Sequence, residues 1–596
     1  MARLTTFSRL AITLGIVAAA GILLYNLSPG LKIGQSKALD NINVDDSDVN
    51  NLTNAAELPL PGKGRSSKVA KQPLVRMAAY AWNAQSGIIA ANGGPVTSAG
   101  SLMEQNGVNL EIIRQDWLSE LRNLQMKFVE ELDRGEDFPK QGVFAIMMMG
   151  DGAPYYISSV QQALNEKYGN DKYHVQVVGA VGLSYGEDKL IGPPKWKMDP
   201  QTMKGALVST VIGDGDWVTT VNYAFANGLK VNPDPATYDP EAVNFYPSAN
   251  DDYIESAKEL IKSQSEGWTI PLKEVIDGKL TGKTVNRKID GCATWTPGDK
   301  MVFDALNGFT DIVSTREFNN QMATTVIAVK EWAEANPEIV TNILKSAYMS
   351  SNQIKQYDAW ARRAAECVTS TYEMENADYW YDMFKGQKGE KGGISYNMGG
   401  SRVFNLADAR QYYGVSDDIN RYKAVYDQVS YYLKELNPAG FNENVSRIIP
   451  YEEAVNLSFL NAVQNIDAGE AFVPTYTEKA RTQLASGEWR INFNTGRASL
   501  RPEAEDVLSQ IYNLLVQAED AKLELTGYTD NVGDVAANIS LSLARAEAVK
   551  TYLMQRGIPS SRFQKVDGKG EADPVADNDT EVGRAQNRRV LIALLK

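Results

Sequence analysis

Three polar side chains near the carboxyl end have the types and the spacing to hold a ligand that carries both charges. The segment Lys522-Leu-Glu-Leu-Thr-Gly-Tyr528 alternates with a period of two, which predicts a strand that ends just before Asp530. From Asn538 the pattern becomes helical, and Asn538 and Arg545 lie on one helical face. A carboxylate accepts hydrogen bonds from an ammonium group, whereas a guanidinium binds a carboxylate through two parallel bonds. We therefore expect Asp530, Asn538 and Arg545 to meet and to bind a zwitterion.

The sequence blocks around these residues resemble the OmpA-like peptidoglycan-binding domain. They occur in the family's order within residues 488–596 and are Gly527–Gly533, Asn538–Ala546 and Gly583–Val590. In the resembled family, the acid of the Thr-Asp pair and the Arg of the Leu-Ser-x-x-Arg-Ala block clasp diaminopimelate, and these positions are Asp530 and Arg545 here. The resemblance implies an α+β domain whose partner is the diaminopimelate stem peptide of peptidoglycan.

The same residues also have a purely structural interpretation. Asp530 would then cap the turn or the helix that follows it, and Arg545 would be its structural partner. A basic block enters the last strand, and we expect its residues to close salt bridges more than to bind ligand: Arg584, Asn587, Arg588 and Arg589.

The amino end predicts a membrane anchor. Leu10–Leu27 is a run of about 18 residues without an acid or a base, which is long enough to span a bilayer. Arg3 and Arg9 precede it, so the positive-inside rule keeps the start in the cytoplasm and exports the rest. We expect residues 1–27 to cross the bacterial inner membrane once, with the bulk in the periplasm and with room for membrane-protein partners. A signal peptide cleaved near Ala18-Ala-Ala20 is the alternative.

Composition bounds the function classes. The chain has 596 residues, of which 43% are hydrophobic and 22% charged, so it can bury more than one core. A formal net charge of -14 argues against a nucleic-acid surface. One His and two Cys do not supply the usual zinc constellations, and we expect neither a metal nor a cofactor. Whether Cys292 and Cys367 pair stays open.

Shifts in pattern divide the rest of the chain. Residues 28–72 are rich in Asp, Asn, Ser, Pro and Gly and predict a disordered linker. Residues 73–462 alternate strands with helices, which predicts a mostly parallel sheet. A second linker is expected at residues 463–487, before the terminal domain of residues 488–596.

A strand, a loop with Gly and Asp, and a helix follow one another twice in the middle region. The first unit is a buried strand at residues 143–149, the loop Gly150–Gly152 and a helix that ends near Gly169. The second is a strand at residues 206–212, the loop Gly213–Asp216 and a helix over residues 217–227. Because ligands gather at the carboxyl ends of strands in open α/β sheets, we expect these two loops to face each other across a cleft.

The later part of the middle region looks like periplasmic solute-binding proteins of the aliphatic sulfonate, nitrate and thiamine-precursor class. The likeness is one of order and spacing, through Gly291–Pro297, Asp311–Thr315, Thr325–Lys330 and Asn336–Val340. It implies two α/β lobes joined by crossing strands that close on a small ligand. Trp295 stands where the family's aromatic residue lies near the cleft.

The sequence does not decide whether the ligand is an anion or a cation, because its features favour opposite charges. Helix starts after Gly152 and Asp216 would suit an anion, whereas the nearby acids would repel one. The acids would have their side chains occupied if they were ordinary helix caps. If they face the cleft instead, an amine or amino-acid-like ligand is favoured, and the candidate binding residues are Trp82, Asp151, Tyr155, Asp214, Asp216 and Trp295.

Catalysis is not expected. Gly182-Leu-Ser184-Tyr-Gly186 has the spacing of a nucleophile elbow, but an elbow must lead into a helix, and Pro193 and Pro194 follow closely. The lone His174 precedes Ser184, which is the wrong order for a hydrolase of that class.

Two function classes therefore remain. The first is an inner-membrane-anchored periplasmic protein that binds peptidoglycan through its terminal domain and a small solute through its middle domain. The alternative is a wall-tethering scaffold or motor-associated protein without a small ligand, similar to a flagellar stator subunit. Stators need an acid in the membrane helix, and Leu10–Leu27 contains none, which favours the first class.

Overall fold

A computed structural model describes residues 56–169, 172–417, 419–473, 483–489, 491, 493 and 496–595. The predicted anchor at residues 1–27 and linker residues 28–55 lie outside this part. Among the described residues, no helix combines the length and apolar character that a bilayer crossing requires.

The strands of the described residues form five sheets. In chain order they are β1 (Leu74–Ala79), β2 (Asn109–Arg114), β3 (Ala145–Met149), β4 (Val175–Ser184), β5 (Lys189–Gly192), β6 (Leu207–Thr210), β7 (Lys230–Asn232), β8 (Thr237–Tyr238), β9 (Ala242–Pro247), β10 (Ile270–Ile276), β11 (Lys279–Arg287), β12 (Gly291–Thr294), β13 (Thr310–Ser314), β14 (Ala323–Val329), β15 (Gln387–Lys391), β16 (Ile394–Met398), β17 (Ser401–Val403), β18 (Gln483–Trp489), β19 (Lys522–Gly527), β20 (Phe563–Gly568) and β21 (Val590–Leu595).

The α-helices lie between the strands and beyond them. They are α1 (Ser86–Asn92), α2 (Leu102–Gln105), α3 (Leu118–Asp133), α4 (Ala153–Tyr168), α5 (Lys195–Met198), α6 (Gly215–Ala226), α7 (Tyr253–Glu266), α8 (Gly298–Ala305), α9 (Lys330–Ala335), α10 (Pro337–Gln356), α11 (Asp358–Tyr372), α12 (Ala377–Lys385), α13 (Leu406–Tyr412), α14 (Arg421–Leu436), α15 (Phe441–Asn444), α16 (Tyr451–Ala454), α17 (Ser458–Ala462), α18 (Glu505–Gln517), α19 (Val535–Gln555) and α20 (Glu581–Asn587).

The middle region consists of two α/β lobes, each built on its own six-stranded sheet. The first lobe has the strand order β17-β4-β14-β3-β1-β2, and the second has β13-β5-β12-β6-β9-β7. Strand β3 is buried along its whole length, which explains its run of Ala, Ile and Met side chains. The predicted units around α4 and α6 are confirmed, one in each lobe.

The chain crosses between the lobes twice, at residues 185–188 (the first crossing) and residues 315–322 (the second crossing). The crossings bond to each other, because Ser184 Oγ lies 2.7 Å from Thr315 Oγ1 and the Thr315 N–H donates to the Asp188 carbonyl at 3.0 Å. The expectation of mostly parallel sheets is correct for the second lobe, where β5 alone runs against the other five strands, and is wrong for the first lobe, where three of the five strand pairings are antiparallel. The antiparallel pairings lie at the strands next to the crossings: β14 runs against β3 and β4, and β5 runs against β12 and β13.

The terminal domain is a four-stranded sheet in the order β18-β21-β19-β20, with α19 packed on it. Strand β18 begins at Gln483, inside the residues 463–487 assigned to a linker, so that boundary moves toward the amino end. Its pairing with β21 across the sheet, a contact between distant parts of the sequence, specifies the strand.

The first predicted linker also needs correction, because its residues 56–72 are docked on the first lobe. Trp360 Nε1 donates to the Leu58 carbonyl at 2.9 Å, and the Arg363 guanidinium donates to the Pro61 and Gly62 carbonyls at 3.0 and 2.8 Å. Side chains far along the chain thus satisfy a backbone that has few apolar residues of its own.

The terminal domain packs against the second crossing. Asn320 Nδ2 donates to the Val516 carbonyl at 3.0 Å, and the Glu519 N–H donates to Asn319 Oδ1 at 2.9 Å. Arg421 on α14 binds both carboxylate oxygens of Glu519, at 2.6 and 3.0 Å. The end of α18 therefore contacts the segment about which the lobes would move.

Candidate binding sites

Asp530 lies just beyond β19 and is 4% exposed. Its Oδ1 accepts from the Val532 N–H at 3.1 Å, so it caps the turn that the sequence marks. Its Oδ2 accepts from Arg588 Nη1 at 2.6 Å. The helix cap is a different residue, Asp534, which bonds the N–H groups of the first turn of α19.

Arg545 lies on α19 and is 1% exposed. Its guanidinium donates to the Tyr528 and Arg497 carbonyls, each at 3.2 Å, and lies 5.0 Å from the centre of the Phe493 ring. Burial lowers the pKa of Arg545 to about 10, and the nearby charge of Asp530 opposes that change. Arg545 therefore remains protonated at neutral pH and lies close to Asp530.

Asn538 connects the start of α19 to the same loops. Its Nδ2 donates to Glu571 Oε2 at 3.1 Å and more weakly to the Asp530 carbonyl at 3.4 Å. The structure thus brings the three predicted residues together, with Asn538 holding the backbone beside Asp530.

Arg588, which we expected to close salt bridges more than to bind ligand, forms two of them and lies at this site. It joins Asp530 to Glu581, which accepts from Arg588 Nη2 at 3.0 Å. The other basic-block residues have structural contacts: Asn587 holds the loop at Val575 and Ala576, and the Arg589 guanidinium lies 3.9 Å from the centre of the Tyr528 ring. The presence of Arg588 within the third resembled block was the available signal. We call Asp530, Asn538, Arg545 and Arg588 the terminal cluster.

These contacts lie in a segment that matches a known family. Residues 492–588 match the model of the OmpA family. They are an OmpA domain.

Two relatives of this domain illustrate the match. The peptidoglycan-binding protein ArfA of Mycobacterium tuberculosis is 40% identical over 104 residues, which are 17% of this chain and 32% of that protein. The outer-membrane lipoprotein YfiB of Pseudomonas aeruginosa is 38% identical over 103 residues, 17% of this chain and 61% of that protein. The chain therefore spans less than two thirds of the length of either relative.

For the middle region, the crystal structure of the periplasmic nitrate-binding protein NrtA from Synechocystis PCC 6803 aligns with a TM-score of 0.41 and 9% identity. The alignment covers 66% of this chain and 99% of that chain. The two-lobed fold described above rests on the sheet order and the two crossings of this chain.

The two Gly-Asp loops of the middle region face each other across the lobe boundary. A Cβ atom added to Gly152 would lie 1.6 Å from Asp214 Oδ1, and one added to Gly215 would lie 3.1 Å from Asp151 Oδ1. Each loop thus places an acid against a glycine of the other loop. This close approach is the physical reason for glycine at both positions.

The acids of these loops are fully buried and poorly bonded. Asp151 accepts from Gln321 Nε2 at 2.8 Å through Oδ2, but its Oδ1 has no hydrogen-bond partner among the described residues. Within the same described chain, both oxygens of Asp214 and both oxygens of Asp216 also have none. Burial raises the pKa of Asp214 to about 6 and raises the pKa of Asp151 and Asp216 well above the usual range.

The alternative that these acids are ordinary helix caps does not match the geometry. Gly152 is the N-cap of α4, and Asp216 lies within the first turn of α6. Asp214 occupies the N-cap position of α6, yet its side chain makes no capping hydrogen bond.

The first crossing supplies charged residues that sequence reasoning missed. Asp188 is fully buried, accepts from Trp82 Nε1 at 3.0 Å, and has a pKa that burial raises to about 7. Lys189 is equally buried and forms an ion pair with Asp299, and Glu187 accepts from Ser401. The charged run Glu187-Asp188-Lys189, which begins three residues after Ser184, was the available signal. We call Asp151, Asp188, Asp214 and Asp216 the interlobe acids.

Aromatic rings lie beside the interlobe acids. The Trp295 ring is 5.5 Å from that of Tyr80 and 4.4 Å from that of Tyr253, measured between ring centres. Burial first, and then the charges of Asp214 and Asp216, raise the pKa of Tyr253. Tyr155 is half-buried on α4, packs on the Gly213 loop, and lies 4.9 Å from the Phe441 ring. Trp82 and Trp295 therefore lie inside the lobe boundary, and Tyr155 lies at its edge.

The residues considered for catalysis and for a disulfide lie apart from one another. Ser184 ends β4 and leads into the first crossing, and His174 Nδ1 lies 2.7 Å from Glu331 Oε1. Cys292 and Cys367 are buried and free. Among the described residues, no group of three or more His, Cys, Asp or Glu side chains is arranged to hold a metal ion.

Proposed function

We propose that this chain is a cell-envelope protein that binds peptidoglycan through its OmpA domain and a small solute between the lobes of its middle region, without catalysis. The observation that supports wall binding is the terminal cluster, in which Asp530 lies beside the Arg545 and Arg588 guanidinium groups. It is further supported by the 40% identity over 104 residues with a protein named as peptidoglycan-binding.

The chemistry of the terminal cluster suits the zwitterionic end of a diaminopimelate residue. The ligand ammonium would bond to Asp530, where it joins or replaces Arg588, and the ligand carboxylate would bond to Arg545. Each contact is a charge-assisted hydrogen bond in a site that excludes most water. The ligand brings one charge of each sign, so the net charge of the site is unchanged.

Sedimentation with purified sacculi tests wall binding. The intact protein should sediment with sacculi that contain diaminopimelate and much less with sacculi that contain lysine, because lysine lacks the second carboxylate. Equal sedimentation with both would contradict the assignment to diaminopimelate, and no sedimentation with either would remove wall binding.

Solute binding by the middle region is supported by the two facing loops and the bonded crossings. Two lobes that meet through polar, incompletely bonded side chains are suited to close around a ligand that contacts both. Native mass spectrometry of the purified protein, with small-angle scattering before and after removal of any bound molecule, tests this. An unliganded protein with the same scattering and no bound mass in any preparation would leave the wall-tethering scaffold.

We also propose that Leu10–Leu27 anchors the chain in the inner membrane, with the folded regions in the periplasm. The uncharged run and the preceding Arg3 and Arg9 support this topology. Resistance of the mature protein to alkaline extraction, with an amino terminus at Met1, is the expected result. A mature amino terminus after Ala20 would instead indicate a cleaved signal peptide.

A further inference from the structure

The lobe boundary contains more negative than positive side chains. Lys189 forms its ion pair with Asp299, and its charge only partly offsets the burial that raises the pKa of Asp188 and Asp216. Asp151 and Asp188 each retain one carboxylate oxygen without a hydrogen bond, and Asp214 and Asp216 each retain two, among the residues that the structure describes. Burying a carboxylate without a partner is costly, so these groups require either bound protons or a bound cation.

A second observation, independent of the acids, also indicates a ligand. The Trp295 indole N–H is fully buried and has no hydrogen-bond partner within the described chain. The Tyr253 ring lies beside Asp214 and Asp216, whose charges raise its pKa after burial itself. Electron-rich ring faces next to carboxylates favour an ammonium group attached to an apolar body.

The acids come from both sides of the boundary. Asp151 belongs to the first lobe, Asp214 and Asp216 to the second, and Asp188 to the first crossing. Without a cation, mutual repulsion of these charges opposes closure of the lobes. A cation that contacts both sides removes the repulsion and therefore binds the closed form more tightly.

We propose that the lobe boundary is a binding site for an organic cation with at least one ammonium group, held between Asp151 and the pair Asp214 and Asp216. This rests on the proposed solute-binding function and names the class of its ligand. Of the two ligand charges that the sequence left open, the cation is favoured, because Lys189, the base among these buried side chains, is already paired with Asp299.

Calorimetry and thermal unfolding of the intact protein test the proposal with defined probes. The ammonium probes are methylamine, 1,4-diaminobutane, spermidine, choline and glycine betaine, and the comparison probes are nitrate, ethanesulfonate, Ca²⁺ and Mg²⁺. We expect saturable binding of at least one ammonium probe that raises the unfolding temperature. The variants Asp214→Asn and Asp216→Asn should weaken that binding by at least about tenfold.

Glu259→Gln is the matched control, because Glu259 is a mostly buried acid of the second lobe with partners of its own. It accepts from Ser209 Oγ at 2.6 Å and from the Ala249 N–H at 3.1 Å. This variant should bind the ammonium probe as the unmodified protein does. Circular dichroism of each Asn variant establishes that it is folded, and folding is expected because the change removes repulsion without changing side-chain size.

The outcomes separate the ligand class from the function. Failure of every ammonium probe, or Asn variants that bind normally, overturns the cation proposal. Binding of nitrate or ethanesulfonate alone overturns it but keeps solute binding, and stabilisation by Ca²⁺ or Mg²⁺ alone replaces the organic cation with a metal ion. No binding of any probe, with no bound mass in the purified protein, overturns both.

Discussion

The terminal cluster and the interlobe acids both place buried carboxylates near a candidate ligand, but only one of them contains its own countercharge. Asp530 is bonded to Arg588 at 2.6 Å and lies near Arg545. Asp214 and Asp216 form no ion pair with a described residue, and burial raises the pKa of both although the charge of Lys189 opposes this at Asp216. The first site can exchange an internal ion pair for a zwitterion without a change in net charge. The second must gain positive charge or protons.

The two sites also differ in how their parts are held. The terminal cluster is built on one sheet and one helix, so its geometry exists before a ligand arrives. The interlobe acids are divided between two lobes, so their arrangement depends on closure. We therefore expect ligand binding at the first site to change little in the fold and ligand binding at the second to be linked to domain movement.

The largest expected effect is at the terminal cluster. Asp530→Ala or Arg545→Ala should abolish sedimentation with sacculi, because each leaves the opposite charge of the clasp unmatched, at a cost of about 2 to 5 kcal/mol. Arg556→Gln is the control, since Arg556 pairs with Glu505 at the other end of α19. Undiminished sedimentation by both Ala variants would show that Asp530 and Arg545 are structural.

The next effect is a dependence of stability on pH, to which the interlobe acids contribute. The pKa of Asp188 is raised from 3.8 to about 7 and that of Asp214 to about 6, so the folded state holds protons that the unfolded state has released. Stability of the unliganded protein should therefore increase as the pH falls from about 8 to about 5, by on the order of 2 to 4 kcal/mol.

Chemical unfolding at several pH values measures this dependence. The double variant Asp188→Asn with Asp214→Asn should flatten it, as should a saturating ammonium ligand that keeps the acids ionised. An unchanged pH profile in the double variant would mean that other groups titrate in this range.

These two predictions concern the terminal cluster and the interlobe acids, and the sequence predicted the members of these two sites to different extents. Asp530 and Arg545 could be predicted because a strand, a turn and a helix within one short segment place them together. The Gly-Asp loops could be predicted because each follows a buried apolar strand and opens a helix. Asp188 could not, because its environment is created by Trp82, a residue more than one hundred positions away that reaches it only in the folded lobes.

The sequence-based predictions of the fold that were wrong also failed because they used local sequence alone. Residues 56–72 contain few apolar side chains, and their order comes from contacts with Trp360 and Arg363. The antiparallel pairings next to the crossings join strands that are distant in the sequence, which local periodicity does not record. Contacts between distant parts of the sequence explain both.

A smaller effect is expected where the two regions join. Arg421→Gln leaves Glu519 beside the second crossing without its guanidinium partner, which should reduce stability by about 1 to 3 kcal/mol. Burial opposes ionisation of Glu519, but Arg421 outweighs it and lowers its pKa from 4.5. The ion pair therefore stabilises the fold at pH values above 4.5, the usual pKa of the carboxyl. Its contribution is lost as the pH falls through the lowered pKa that Glu519 has in the folded protein.

Denaturant unfolding of the Arg421→Gln variant should accordingly show a deficit at neutral pH that shrinks below about pH 4. Arg447→Gln, which removes an exposed partner of Glu453, is the control and should have little effect. A deficit that is constant with pH would indicate lost packing rather than a lost ion pair.

The smallest effect is expected from Arg588→Gln. This variant tests most directly whether the internal countercharge is what distinguishes the terminal cluster from the interlobe acids. This change removes the internal partner of Asp530 and makes the terminal cluster more like the interlobe acids. The ligand ammonium then no longer competes with Arg588, which offsets part of the lost attraction for the ligand carboxylate.

Sedimentation with sacculi should weaken by about threefold to tenfold, which is about 0.7 to 1.4 kcal/mol and less than for Arg545→Ala. Competition by a simple amine such as methylamine should become stronger relative to competition by free diaminopimelate. If the variant loses binding as completely as Arg545→Ala, Arg588 contacts the ligand directly, and the cluster has two carboxylate-binding guanidinium groups instead of one.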